Sequence, residues 1–406
     1  MTEYKIRHWA ISLDPGDVGE IARDEEVLLM AAETTFKAGL EDVVSNTSEI
    51  CFLDGKQGRL LYYGYDIHDL VDGGASFEEV VYLLWHGELP NQSQLKAFTE
   101  ELASERALAE PVLDLLKRLP KDANAMAVLR TAVSFLGLYD PDDGDESLEA
   151  NYRKAARLVA KIPTIVTSYE RIRQGLDPVE PDPSLSAAAN FFYLLRGTKP
   201  SEFEEKAFNT ALILHADHEL NASTFSARVT AGTLSDMYSA ITSAIGTLKG
   251  PLHGGANEQV MRMLLEIGEP SKAIAWIDEA LAQKKKIMGF GHRVYRTEDP
   301  RATHLRELSK QAGELKGETK WFEMSQAIEK HMLEVKGLHA NVDFYSASLY
   351  YSLGIPTHLY TPIFACSRIS GWTAHVLEQY KNNRLIRPRA EYVGPTNRKF
   401  VPLSER

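Results

Sequence analysis

Four segments between residues 215 and 389 set ionisable side chains beside glycines or at helix ends, where they could do chemistry. In His215-Ala-Asp217-His218-Glu219 two imidazoles stand three residues apart, on one face if the segment is helical. Two histidines and an acid admit three readings: a metal pair such as a metal-dependent hydrolase would use, hydrogen-bonded core histidines, or contacts to a polar substrate. The spacing matches no zincin motif. In Gly250-Pro-Leu252-His253-Gly254-Gly255-Ala-Asn257-Glu258, two glycines let backbone approach a ligand ahead of a helix expected over 256–266. A helix N-terminus disfavours imidazolium, so His253 is expected to be neutral and to donate a hydrogen bond to an enol or enolate oxygen.

The third segment runs from Lys284-Lys285-Lys286 through Met288-Gly289-Phe290-Gly291-His292 to Arg293, Arg296 and Arg301. Three lysines complement a helix C-terminus, and beside open Gly-Phe-Gly backbone they suit a phosphorylated cofactor. No strand precedes these glycines, which argues against a Rossmann nucleotide site. The fourth comprises Asn341-Val-Asp343-Phe-Tyr345, Ser367-Arg368-Ile-Ser-Gly371 and Ile386-Arg387-Pro-Arg389. Asp343 lies in an apolar, aromatic stretch, and a desolvated carboxylate is a stronger base. Arg368 is likewise embedded in apolar sequence, and a buried guanidinium calls for an anionic partner.

The elements that must position these groups read as helices. Ser76 is a capping residue with Glu79 three positions on, Phe77, Val80, Val81 and Leu84 form an apolar face, and Gly87 and Pro90 close the helix. Similar patterns cover 94–118, 127–138, 152–174 (kinked at Pro163), 201–214, 271–283 and 322–336. Residues 59–66 alternate as a short hairpin or turn, and 175–183 is a Pro-rich loop. With so few strands and no internal repeat, the expected fold is all-α, built of helix layers.

The 406 residues suggest two or three domains. Hydrophobic residues at 44% and charged residues at 25% exclude a disordered or collagen-like chain. With 45 Lys+Arg against 57 Asp+Glu, a net charge of −12 argues against non-specific nucleic-acid binding but leaves room for a small anion at a local arginine cluster. No run of about 18 apolar residues suggests a membrane span. The acidic N-terminal segment is unlike a signal or transit peptide. Cys51 and Cys366 are expected to be buried, reduced thiols of a cytoplasmic protein.

The segments HADHE, GPLHGGANE, MGFGHRVYRTEDPR, NVDFYSA, SRISGWTAHVLEQ and IRPRAEYVGP, in this order across about residues 40–400, resemble the citrate synthase family, closest to its shorter bacterial and archaeal form. The resemblance implies a two-domain helical fold: an extension over 1–38, a large domain over 39–252 and 351–406, and a small closing domain over 253–350. It implies a homodimer whose active sites are completed across the interface, with no permanently bound cofactor and no metal. By the same resemblance Asp343 is the base that deprotonates acetyl-CoA, His253 the neutral donor to the enol, and His292 the group that protonates the ketone of oxaloacetate. Arg301, Arg368 and, from the partner subunit, Arg387 hold the oxaloacetate carboxylates, with His218 as a further contact. Lys286, Met288, Gly289, Phe290, Gly291 and Arg296 are the expected CoA contacts. Citrate formation is the primary reading, with 2-methylcitrate formation from propionyl-CoA as the alternative. Two positions depart from the family pattern: Tyr63 replaces the Arg of Tyr-Arg-Gly-Tyr, and Asn124-Ala-Met replaces His-Pro-Met.

Overall fold

Among the described residues only three short strands form: β1 (Cys51–Asp54), β2 (Arg59–Tyr62) and β3 (Tyr65–Asp66) pair antiparallel in that order, with Cys51 opposite Tyr62 and Leu61 opposite Asp66. The sequence pattern anticipated β2 and β3 and missed β1. This is a computed structural model, and it describes residues 37–41, 43–292 and 294–406. Most of the expected 1–38 extension, and Arg293, therefore lie outside the described residues.

The rest is helical. The compact unit Ser48–Arg387 contains α1 (Ile67–Asp72), α2 (Phe77–His86), α3 (Gln92–Ser104), α4 (Glu110–Arg118), α5 (Ala125–Gly137), α6 (Leu148–Arg173), α7 (Ala187–Arg196) and α8 (Glu202–His215). It continues with α9 (Ala222–Ala231), α10 (Met237–Leu248), α11 (Ala256–Ile267), α12 (Ala273–Ala282), α13 (Pro300–Lys316), α14 (Lys320–Lys336), α15 (Val342–Ser352) and α16 (Tyr360–Lys381). A second unit comprises the terminal segments; of these, 37–41, 43–47 and 388–406 are described and hold two single 3-10 turns, Ala38–Leu40 and Leu403–Glu405. Among the described residues no helix is long and apolar enough to cross a membrane.

Local chemistry accounts for the helix boundaries. Ser76 and Glu79 form the expected capping box of α2, and Gly87 ends it at φ 79°. Ser201 and Glu204 do the same at α8. The expected 94–118 helix is broken into α3 and α4, because the chain leaves the helix after Glu105 and restarts with Pro111 in the first turn. α6 runs through Pro163 without interruption. Cys51 and Cys366 are both buried and free.

The element that organises the unit is α16, with 19 of its 22 residues buried. It packs against α2, α6, α8, α9 and α10. Its close approach to the turn after α8 is set by Gly371: a Cβ there would lie 2.3 Å from Asp217 Oδ1 and 2.5 Å from the Ala216 carbonyl oxygen. α15 is held between α11 and α13. These two helices, α15 and α16, carry Asp343 and Arg368.

Candidate active site

Asp343 stands in the first turn of α15, its main-chain N–H bonded to the Asn341 side chain at 3.0 Å. Asn341 is strapped to the Gly-Phe-Gly loop: its N–H donates to the Gly289 carbonyl (2.9 Å) and its Nδ2 to the Gly291 carbonyl (3.0 Å). The Gly291 N–H donates to the His339 carbonyl at 3.0 Å, and Phe290 packs on Phe344 with centroids 4.6 Å apart. Gly289 has φ 84°, and a Cβ there would meet Phe344 and Val260 side-chain atoms at 2.8 Å. The two glycines thus dock this loop onto the segment that launches Asp343, where the sequence had suggested backbone left open for a ligand. Of the other CoA candidates, Met288 is half-buried, Phe290 is buried, and Lys286 and Arg296 are exposed.

Burial pushes the Asp343 pKa up to about 6, while the charges of Arg301 and Arg368 act to lower it. Arg301 is 3% exposed and forms a two-pronged pair with Asp299, Nε to Oδ1 at 2.9 Å and Nη2 to Oδ2 at 2.8 Å. Asp299 also caps α13 and accepts the Val342 N–H at 3.1 Å, so one carboxylate ties Arg301 to the start of the Asp343 helix. The sequence reading missed Asp299, although an Asp before a Pro at the first helical position is an N-cap signal.

The histidines are prepared as neutral donors. His253 Nε2 accepts from the Ser223 main-chain N–H (3.3 Å) and lies 2.7 Å from the Ser223 hydroxyl, which also accepts from Trp372 Nε1 (3.1 Å). A main-chain N–H can only donate, so the ring proton sits on Nδ1. The pKa of His253 is held down at about 4, first by burial and then by Arg368. Burial therefore achieves the neutrality that the sequence argument had assigned to a helix dipole. His292 Nδ1 accepts from the N–H groups of Val294 (3.0 Å) and Tyr295 (3.2 Å), which leaves the proton on Nε2. Burial, then Arg301, lowers its pKa to about 4.

The two histidines of the first segment separate. His218 is buried, its ring 5.2 Å from that of His292 and its Nε2 3.2 Å from the Tyr295 hydroxyl. His215 bonds through Nδ1 to the Ala211 carbonyl (2.7 Å) and packs edge-on against Phe364, as a core histidine does. Among the described residues no group of three or more His, Cys, Asp or Glu side chains is arranged to hold a metal ion.

Arg368, 1% exposed, donates from Nε to the His215 carbonyl (2.8 Å) and lies over the Phe364 ring at 4.7 Å. The same ring is 6.5 Å from His253. No carboxylate among the described residues lies within ion-pair reach of Arg368. Arg387, by contrast, is exposed beyond the end of α16 and makes no hydrogen bond or ion pair with this cluster among the described residues. The structure thus gathers Asp343, His253, His292, His218, Arg301 and Arg368, and leaves Arg387 outside.

A base, two neutral donors and an unpaired buried arginine are the parts of a carbon-acid condensation site for an anionic partner. A family pattern described as citrate synthase, C-terminal domain, matches residues 39–389. Citrate synthase 2 of Bacillus subtilis is 57% identical over 373 residues, covering 92% of this chain and 100% of that protein. The chain belongs to the citrate synthase family. A 2-methylcitrate synthase 2 of Corynebacterium glutamicum is 42% identical over 381 residues, covering 93% of this chain and 99% of the relative. Among solved structures, the ternary complex of carboxymethyl coenzyme A and oxaloacetate with citrate synthase from Thermoplasma acidophilum matches with a TM-score of 0.86 at 37% identity, over 91% of this chain and 98% of that one.

Within this citrate synthase framework the two departures are local. Asn124 is the N-cap of α5, accepting the Ala127 N–H at 3.1 Å. Tyr63 takes a left-handed turn at φ 46° and lies against Gly87, where a Cβ would come within 3.2 Å of its ring. Besides Asp299, the sequence reading missed Ser223, Tyr295 and Phe364, none of which has a spacing that marks it.

Proposed function

We propose that the chain joins the methyl carbon of acetyl-CoA to the ketone carbon of oxaloacetate and hydrolyses the product thioester, giving citrate and CoA. The observation that carries this reading is that the Arg368 charge acts on both a desolvated carboxylate, Asp343, and a neutral imidazole, His253, whose Nδ1 carries its proton. Asp343 removes a methyl proton as His253 Nδ1–H strengthens its hydrogen bond to the enol oxygen; one such donor contributes about 3–4 kcal/mol in a transition state. His292 Nε2–H polarises and then protonates the ketone oxygen as the new C–C bond forms. Water adds to the thioester carbonyl and expels the CoA thiol.

Arg301, Arg368 and the partner subunit's Arg387 hold the two oxaloacetate carboxylates, with His218 beside the ketone. Planar guanidinium forks suit that task. The functional unit is a cytoplasmic homodimer, and residues 253–350 close as a small domain over 39–252 and 351–406, excluding water during condensation. CoA is met by Lys286, Arg296 and the loop Met288-Gly289-Phe290-Gly291, and no cofactor is permanently bound.

Steady-state thiol release with oxaloacetate and either acetyl-CoA or propionyl-CoA tests the reading. A kcat/KM ratio above about tenfold for acetyl-CoA, equivalent to ~1.4 kcal/mol, is expected. An inverted ratio would make the product 2-methylcitrate, and no thiol release from either would overturn the reading.

A further inference from the structure

Burying an ion is tolerated where a partner offsets it, and among the described residues the charges classed as buried follow that rule with two exceptions. Among the described buried residues, Arg301 meets Asp299, Arg157 meets Asp140, Arg106 faces Glu78 at 4.0 Å and Arg228 meets Glu378. The buried Glu170 has Arg173 at 3.1 Å, and the buried Lys154 has Glu146 at 3.6 Å. Arg368 has no carboxylate in contact, and Asp217, 0% exposed, has no lysine or arginine in contact.

These two unpaired charges lie on one seam. Arg368, Gly371 and His375 follow one another at i, i+3 and i+7 on one face of α16. Arg368 donates to the His215 carbonyl, Gly371 donates to the Ala216 carbonyl at 3.1 Å, and His375 Nε2 is 3.3 Å from Asp217 Oδ2. His375 Nδ1 accepts from Arg228 at 3.0 Å, so its Nε2 carries a proton toward Asp217. Burial acts to raise the Asp217 pKa, and His375, then Arg368, act against it and hold the carboxyl below the usual range. Asp217 Oδ1 is buried with no hydrogen-bond partner.

We propose that Asp217 is a positioning residue that acts through Arg368: it is the buried counter-charge of that guanidinium, set one turn along α16 so that the charge is balanced while the Nη N–H groups stay unoccupied for a substrate carboxylate. A direct two-pronged pair, such as Arg301 makes with Asp299 through Nε and Nη2, would take N–H groups that Arg368 keeps for a substrate and leave chiefly Nη1. Burial lowers the Arg368 pKa, and Asp217 is the foremost charge acting against that. The inference rests on the reading of Arg368 as an oxaloacetate clamp.

The test uses the full-length protein and three variants. Asp217→Asn keeps shape and retains an acceptor for the Glu219 N–H, which Asp217 Oδ2 accepts at 3.0 Å, but removes the charge. The free variant should melt below the parent, and oxaloacetate should raise its melting temperature by more than it raises the parent's. Oxaloacetate should bind about tenfold more tightly, or ~1.4 kcal/mol, since the dianion then supplies the missing negative charge. A role confined to holding the turn predicts weaker binding, so unchanged or weakened affinity in a folded Asp217→Asn protein overturns the proposal. Should that variant not fold, the Asp217→Asn, Arg368→Met double variant decides the matter. With neither charge buried it should regain the lost stability, and a double variant as unstable as the single refutes the pairing. Arg368→Met alone separates the two claims. If it binds oxaloacetate as the parent does, the clamp reading fails, whatever the stability coupling to Asp217.

Discussion

Replacing Asp343 by Asn keeps the size of the side chain and removes both its charge and its ability to take a proton from carbon. Exchange of acetyl-CoA methyl protons with deuterated solvent should fall by orders of magnitude. The same exchange should make the protein more stable. Burial raises the carboxyl pKa from 3.8 to about 6. The difference, 6 − 3.8 = 2.2, corresponds to about 3 kcal/mol at 1.36 kcal/mol per pH unit, and partial exposure of the side chain reduces this to about 2–3 kcal/mol. The folded state holds this proton more tightly than the unfolded chain. The associated stability is therefore fully present below pH 3.8 and lost as pH rises through about 6. At pH 7 the parent carries an ionised, desolvated Asp343 and the Asn variant does not. Thermal unfolding should place the variant above the parent at pH 7, with the gap narrowing as pH falls through 6 toward 4. In the parent, the ionised base falls from roughly nine-tenths at pH 7 to roughly one-tenth at pH 5, so kcat/KM should drop about tenfold over that range. His253 and His292, at about 4, add further proton dependence only below that range. A variant no more stable than the parent at pH 7, or parental activity flat to pH 5, would refute the assignment of Asp343 as a desolvated base.

Arg368→Ala should weaken calorimetric oxaloacetate binding by about 2–5 kcal/mol, as truncating one partner of a buried charge pair does, and should leave the Asp343 base in place. Gly289→Ala forces a Cβ to 2.8 Å from Phe344 and Val260 at φ 84°, so it should destabilise by about 1–3 kcal/mol and lower kcat by moving α15. Arg387→Ala and Asp343→Asn proteins should each be nearly inactive. After dissociation and re-pairing, activity should return, since one site of each heterodimer lacks both lesions; verified heterodimers that stay inactive would remove Arg387 from the site. Acetyl-CoA should bind more tightly when an oxaloacetate analogue is present, with a reciprocal effect on the analogue, as linkage requires.

The helices that were legible in the sequence are those with one wet face. α2 and α8 declare themselves through capping boxes and an apolar stripe. α16 does not, because with 19 of 22 residues buried it has no polar face to set a period. The site was legible where an ionisable residue stood against apolar neighbours, as Asp343 and Arg368 do. It was illegible where a residue acts through a partner distant in sequence. Ser223 reaches His253 across 30 residues and Asp299 reaches Val342 across 43, and no local spacing records either contact. The cause of an effect was also harder to read than its direction. His253 was expected to be neutral on account of a dipole, and burial followed by the Arg368 charge accounts for it.

Hydrogen bonds hold the reacting groups in two sets, which meet where His218 Nε2 lies 3.2 Å from the Tyr295 hydroxyl. Asp299 fastens Arg301 to the first turn of α15, and Asn341 fastens that turn to the loop ending at His292, so Asp343, Arg301 and His292 are connected to one another. His253 is fastened instead to Ser223 and, through it, to Trp372 of α16, the helix whose Arg368 is bonded to the His215 carbonyl ahead of His218. The proposed base thus belongs to one set and the proposed donor to its enol to the other. Neither set can stabilise the enol alone, because abstraction of a carbon-bound proton needs base and donor on the same acyl group at once. On the proposed closing of 253–350, His253, at the first residue of that segment, stays fastened to Ser223 while the first set moves against it, which assembles that pair as the dianion draws Arg301 toward Arg368. Substrate order then follows from charge. On the proposed roles, oxaloacetate, held by arginines from both sets, closes the site, whereas an acetyl group, neutral at the reacting end, has nothing there to pull with.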